Sequence, residues 1–188
     1  MTDPDDGELE ERILAAAVAL AEESGLEAVT VNAVAQRAEV SRPTVYRRYP
    51  NRAALVFELQ LLAVVPVEMP DTGSFRDDLY QATVYLMANL RSSDRTLHGE
   101  RLALMASDRD FAEHVWAERW IPDREAVAVI WDRGVERGEV DADIDGRAVL
   151  DDLVSAAVFR VLFWHEESDD WIGPYVDRLC RGVIRLTV

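Results

Sequence analysis

The chain has 188 residues and a mass of 21.2 kDa, 49% apolar and 30% charged, which excludes wholesale disorder and suits one or two small domains with a packed core. The formal charge is −16, no run approaches roughly 18 uncharged apolar residues, and the start Met1-Thr2-Asp3-Pro4-Asp5-Asp6 is acidic where a secretory signal is basic. A cytoplasmic protein without a membrane span is expected. All 20 basic residues are arginine and Cys180 is the single cysteine, which excludes a Schiff-base lysine, the usual P-loop, an internal disulfide and a cysteine metal cage.

The apolar spacing predicts helices nearly throughout. Ile13, Leu14, Ala17, Leu20 and Ala21 mark one face of a first helix from about Glu8 to Ser24, stopped by Gly25. Thr30 caps a short second helix whose inner face is Val34, Ala35 and Ala38. After a break at Glu39-Val40, Ser41 caps a third helix with Pro43 in its first turn. Pro50-Asn51 ends it, and Asn51 opens a fourth through Leu55, Leu59 and Leu62.

The breaker cluster from Pro66 to Gly73 sets a domain boundary, giving domains at 1–64 and 65–188. Ser74 then caps a helix to about Arg91, and Thr96 to Ser107 forms another. A long pattern from Arg109 to Arg137 is kinked or split at Pro122. A polar loop at 138–143 precedes two apolar helices, about Arg147 to Glu166 and Asp170 to Leu186. With no credible strand, the expected fold is all-α, about nine helices.

Charge is uneven. Between Gln36 and Arg52 the chain holds Arg37, Arg42, Arg47, Arg48 and Arg52 against Glu39 alone, a net +4 in an acidic protein. Two short helices joined by a tight turn, the second capped and loaded with arginine, form a helix-turn-helix pattern. A helix fits the major groove of B-DNA, its early residues facing base edges while flanking groups hold phosphates. Val34 and Ala38 brace the third helix through Val45 and Tyr49, leaving Arg42, Pro43, Thr44, Tyr46, Arg47 and Arg48 outward or at the rim. Arg42 and Arg47 suit guanine N7 and O6; Pro43 and the Thr44 methyl suit a thymine methyl. Thr30 and Arg52 stand at helix starts, which favour a phosphate oxygen.

The run from Thr30 to Leu55 (Thr30 opening the second helix, the pair Val34-Ala35, then Val40-Ser41-Arg42-Pro43-Thr44-Val45-Tyr46) resembles the signature of TetR-family repressors, and residues 8–62 fit it as a whole. The resemblance implies base contacts from Asn32, Arg42, Pro43, Thr44, Arg47 and Arg48, and phosphate contacts from Thr30, Ser41, Tyr46, Tyr49 and Arg52. Two departures stand out. Glu39 occupies a turn position usually held by glycine and must then adopt a left-handed conformation, and Arg52 replaces the usual lysine.

The same resemblance implies a homodimer paired through the last two helices, with Leu153, Ala157, Val161, Val176, Leu179 and Val183 as interface. The apolar pattern alone also leaves an ordinary buried core as the alternative. It also implies a small hydrophobic ligand among the central helices, where Tyr85, Met87, Met105, Trp116, Trp120 and Trp131 are the large residues, with core filling as the alternative. The scattered His98, His114 and His165 lack metal spacing, and no cofactor is implied. No local motif offers nucleophile, base and orienter, so an enzyme is not expected. The sequence thus reads as a ligand-responsive repressor of a double-stranded DNA operator; the alternative is a helical binding or enzymatic module with no operator.

Overall fold

In the computed structural model, which describes residues 4–62 and 68–183, the regular elements are helices and no strand occurs among the described residues. The chain forms two units. One takes in the described residues up to 62 together with 100–112, the other 68–99 and 113–183. The boundary expected between residues 64 and 65 lies outside the described residues.

The first unit begins with α1 (Pro4–Ser24), a 3-10 turn (Leu26–Ala28), α2 (Val31–Arg37), α3 (Arg42–Arg48) and α4 (Arg52–Leu62). Local chemistry sets these limits. Gly25, at φ 79°, takes the left-handed step that ends α1. Thr30 Oγ1 accepts from the Ala33 amide (3.1 Å), Ser41 Oγ from the Thr44 amide (3.3 Å) and Asn51 Oδ1 from the Ala54 amide (3.0 Å), each meeting a donor that the first helical turn leaves without a partner. Ile13, Ala17, Val34, Val45, Leu55 and Phe57 are buried where α1 packs on α2 and α4, and α2 on α3. A buried valine such as Val45 contributes about 1.5–3 kcal/mol, enough to hold a seven-residue helix that would not persist alone.

The remaining helices are α5 (Phe75–Ser92), α6 (Arg95–Ser107), α7 (Arg109–Val115), α8 (Ile121–Glu136), α9 (Gly146–Phe163) and α10 (Ile172–Val183). A π-helical turn at Trp116–Trp120 joins α7 to α8 in one rod, so ten α-helical segments make nine rods among the described residues. Pro122 explains its place. Lacking an amide and crowding the carbonyl four residues back, it disturbs the ladder there, and the Ile121 amide donates instead to Trp116 five residues earlier.

In the second unit α5 packs on α8, α9 and α10 around Phe75, Leu79, Met87, Ile130, Trp131 and Ile172. The Trp131 ring meets Phe75 edge-on at 5.4 Å and lies so close to Gly146 that a Cβ there would fall within the indole. Two sets of expected site residues lie in or against this core. Leu153, Ala157, Val161 and Val176, expected to face a second copy, are buried in the chain's own core, and Leu179 packs half-buried against it. The Val183 side chain lies outside the described residues. Met87 and Trp131 are buried in the same core. Apolar periodicity says that a face is covered, not by which body.

The α9 helix stops at Phe163, short of the expected Glu166, because His165 takes a left-handed conformation at φ 52°. Arg91 holds the loop that follows, donating to Glu166 O (3.2 Å) and Ser168 O (2.8 Å) and pairing with Asp169 (2.7 Å), while Arg95 pairs with Glu167. Such tertiary bonds have no local signature.

Candidate nucleic-acid interface

The turn between α2 and α3 is tight enough to leave Glu39 at φ 55°, the left-handed conformation expected of a residue standing in a glycine position. Arg12 of α1 supports it by donating to Ala38 O at 2.7 Å. The strained residue is exposed. Glu39→Gly is therefore expected to stabilise the protein by about 1 kcal/mol, read as a higher urea midpoint; an unchanged or lower midpoint would contradict the strain.

Beyond the turn, α3 divides by face. Val45 is fully buried and Tyr49 is 4% exposed, whereas Arg42, Pro43, Tyr46 and Arg47 are exposed. Arg42 and Arg47 form no ion pair among the described residues, so both guanidinium groups remain available to a partner. Thr44 and Arg48 are half-buried at the rim, and Ser41 Oγ lies 2.7 Å from Thr44 Oγ1.

Not all of the basic island is without a partner within the chain. Arg37 is spent on Glu23 through two bonds of 2.5 and 2.6 Å. Arg52 donates to Val29 O (3.1 Å) and Leu26 O (2.9 Å), tying α4 to the turn before α2. Tyr49, which the residue pattern turns inward and the resemblance puts at a phosphate, is an anchor: its ring is buried and its hydroxyl donates to Glu10 Oε1 at 3.3 Å. Burial, together with the charge of Glu10 and Glu58, pushes its phenol well above the usual tyrosine range.

That shift has a testable sign. The raised group supports folding fully below the unfolded value of about 10, and the support is lost as pH climbs from there toward the folded value. The chain has no lysine to titrate in the same window. Stability should therefore fall from about pH 10 upward, and Tyr49→Phe should flatten that fall; parallel alkaline limbs for the two proteins would refute the assignment.

An open groove of about 440 Å³ lies between α2 and its cap (Thr30, Asn32, Ala33, Gln36) and Arg42 at the start of α3. It gathers three of the expected contact residues, Thr30, Asn32 and Arg42, and adds Gln36, which sequence reasoning missed. The signal was available, since Gln36 lies one helical turn beyond Asn32.

The central aromatics are not gathered in this way. Trp116 is exposed and stacks on Trp120 at 5.5 Å, the Trp120 indole donates to Asp151 at 3.0 Å, and Tyr85 is exposed on α5. Met105 is half-buried on α6, in the stretch that belongs to the first unit.

Two family matches follow one another along the chain: residues 13–59 match the bacterial regulatory proteins of the tetR family, and residues 69–180 the tetracyclin repressor-like C-terminal domain. The chain belongs to the TetR family. It is 29% identical over 182 residues to the uncharacterized HTH-type transcriptional regulator YdeS of Bacillus subtilis, covering 96% of this chain and 92% of the relative. It is 26% identical over 175 residues to the DNA-binding transcriptional repressor TetR of Mycobacteroides abscessus, covering 92% of each. Among solved structures, the TetR family transcription regulator SCO0332 superposes with a TM-score of 0.65 at 26% identity, over 94% of this chain and 98% of that one. This TetR-family protein is thus an all-α, helix-turn-helix, DNA-binding transcriptional regulator whose relatives are regulators and not enzymes. No helix among the described residues is long and apolar enough to cross a membrane.

Proposed function

We propose that the protein is a cytoplasmic repressor that binds a palindromic operator as a homodimer and is released by a small hydrophobic effector. The observation that carries this is the exposure of Arg42 and Arg47 on a capped helix in a chain of charge −16. The surrounding acid repels phosphate, so contact is confined to α3 and its borders, which suppresses non-specific binding. Arg42, Arg47 and Arg48, with Asn32, Pro43 and Thr44, read bases; Thr30, Ser41 and Tyr46 hold phosphates; Arg52 positions α4 through the carbonyls it binds.

The second copy packs through α9 and α10 by residues other than those first expected. Phe159, Phe163 and Trp164 are 47%, 59% and 60% exposed in one chain, a contiguous aromatic face suited to a two-fold interface. The effector binds in the second unit, with Trp116, Trp120 and Tyr85 as its candidate contacts. It must bind the two conformations unequally, or it will not shift the equilibrium away from recognition helices about 34–36 Å apart. Selecting duplexes from a randomised pool tests this: an enriched inverted repeat supports the proposal, and no enrichment at low salt rejects it. An apolar compound that raises the melting temperature while releasing the selected duplex would supply the effector arm.

A further inference from the structure

Gln36 is exposed and lines the groove between α2 and the start of α3, four residues and one helical turn beyond Asn32. The two side chains therefore share a face of α2, and both meet the space bounded on its far side by Arg42. Ala33 and Ala35 form the nearby lining, and their small size leaves the polar ends room to reach outward. The backbone carbonyl of Gln36 accepts from the Glu39 amide at 3.3 Å, which fixes the end of α2, whereas its side-chain amide makes no hydrogen bond among the described residues. A carboxamide offers one donor and one acceptor side by side. That pair matches N7 and N6 of adenine in the major groove, as a guanidinium matches N7 and O6 of guanine.

We infer that Gln36 is a specificity-determining residue that reads an adenine edge in the operator, next to the base contacted by Arg42. The inference rests on the DNA-binding reading proposed above and deepens it. It adds a second base-reading position on α2, one helical turn beyond Asn32. Being neutral, Gln36 adds sequence preference without adding to the salt-dependent attraction for phosphate.

The test uses the full-length protein and the same randomised duplex pool. Wild type should enrich adenine at one position in each half-site, beside the guanine assigned to Arg42. Gln36→Ala should lose that preference alone, with about tenfold lower affinity for the wild-type sequence and unchanged preference elsewhere. Alanine is the best helix former and the site is exposed, so α2 should stay folded, which a thermal melt verifies. Gln36→Glu should move the enriched base at that position toward cytosine, whose N4 amine donates to a carboxylate.

An unchanged profile for Gln36→Ala, or a uniform loss at every sequence, overturns the inference, the latter because it marks a phosphate or structural contact. An Arg42→Ala, Arg47→Ala double variant runs in parallel. Should that variant enrich the wild-type sequence as well, the DNA-binding reading itself fails; should it lose enrichment while Gln36→Ala does not, only the role of Gln36 fails.

Discussion

Replacing Arg42 and Arg47 together by alanine is expected to abolish specific DNA binding and leave the fold intact. Both side chains are exposed, neither forms an ion pair among the described residues, and alanine suits a helix, so stability has little to lose. Binding has much to lose. A bidentate arginine–guanine contact discriminates by about 1–3 kcal/mol, and two per chain in a dimer amount to roughly 4–12 kcal/mol. That range spans the whole gap of about 10³ to 10⁷ between specific and non-specific affinity. Fluorescence anisotropy on a selected duplex at fixed salt should show the variant binding no better than to unrelated sequence. Retained affinity with the wild-type melting temperature would remove α3 from the interface.

The second large effect concerns assembly. Phe163→Asp should convert the dimer to monomer at micromolar concentration, seen by sedimentation equilibrium. In one chain Phe163 stacks on Phe159 at 4.9 Å and Trp164 meets Phe159 edge-on at 5.3 Å, yet Phe163 and Trp164 remain mostly open to water. An acid there costs the monomer little. Buried at a two-fold axis it appears twice, unpaired, and each copy costs several kcal/mol. Operator affinity should fall by about 100-fold or more as the half-sites become independent. The contrast is Ala157→Asp, which places the charge in the chain's own core and should unfold the protein instead of splitting the dimer. A Phe163→Asp protein that stays dimeric would move the interface elsewhere.

What could be read in advance follows the range of the interactions. The caps at Thr30, Ser41, Asn51 and Ser74 are bonds across three residues, so residue type at the right offset announces them. Glu39 was legible for the same reason, as a turn of fixed length imposes its backbone angle whatever the side chain. The inward position of Tyr49 was legible, but its hydroxyl partner was not, because Glu10 is 39 positions away on α1. Nor was the end of α9, held by arginines more than 70 residues distant in sequence. The apolar stripe of α9 was legible as a covered face, and the chain's own core covers it. Leu153, Ala157 and Val161 recur at helical spacing whether the face they meet is α5 or another chain. Phe159 and Phe163, four apart on the opposite side, differ from that stripe in their exposure.

Hydroxyl-radical footprinting of the wild-type protein on a selected duplex tests the central claim most directly, because it reports where backbone is covered. Two exposed recognition helices on a two-fold axis should protect two symmetric patches on one face of the DNA, centred about 10 base pairs or a multiple of that apart. Protection that is single, continuous or without two-fold symmetry would contradict the reading of Arg42 and Arg47 as paired groove contacts.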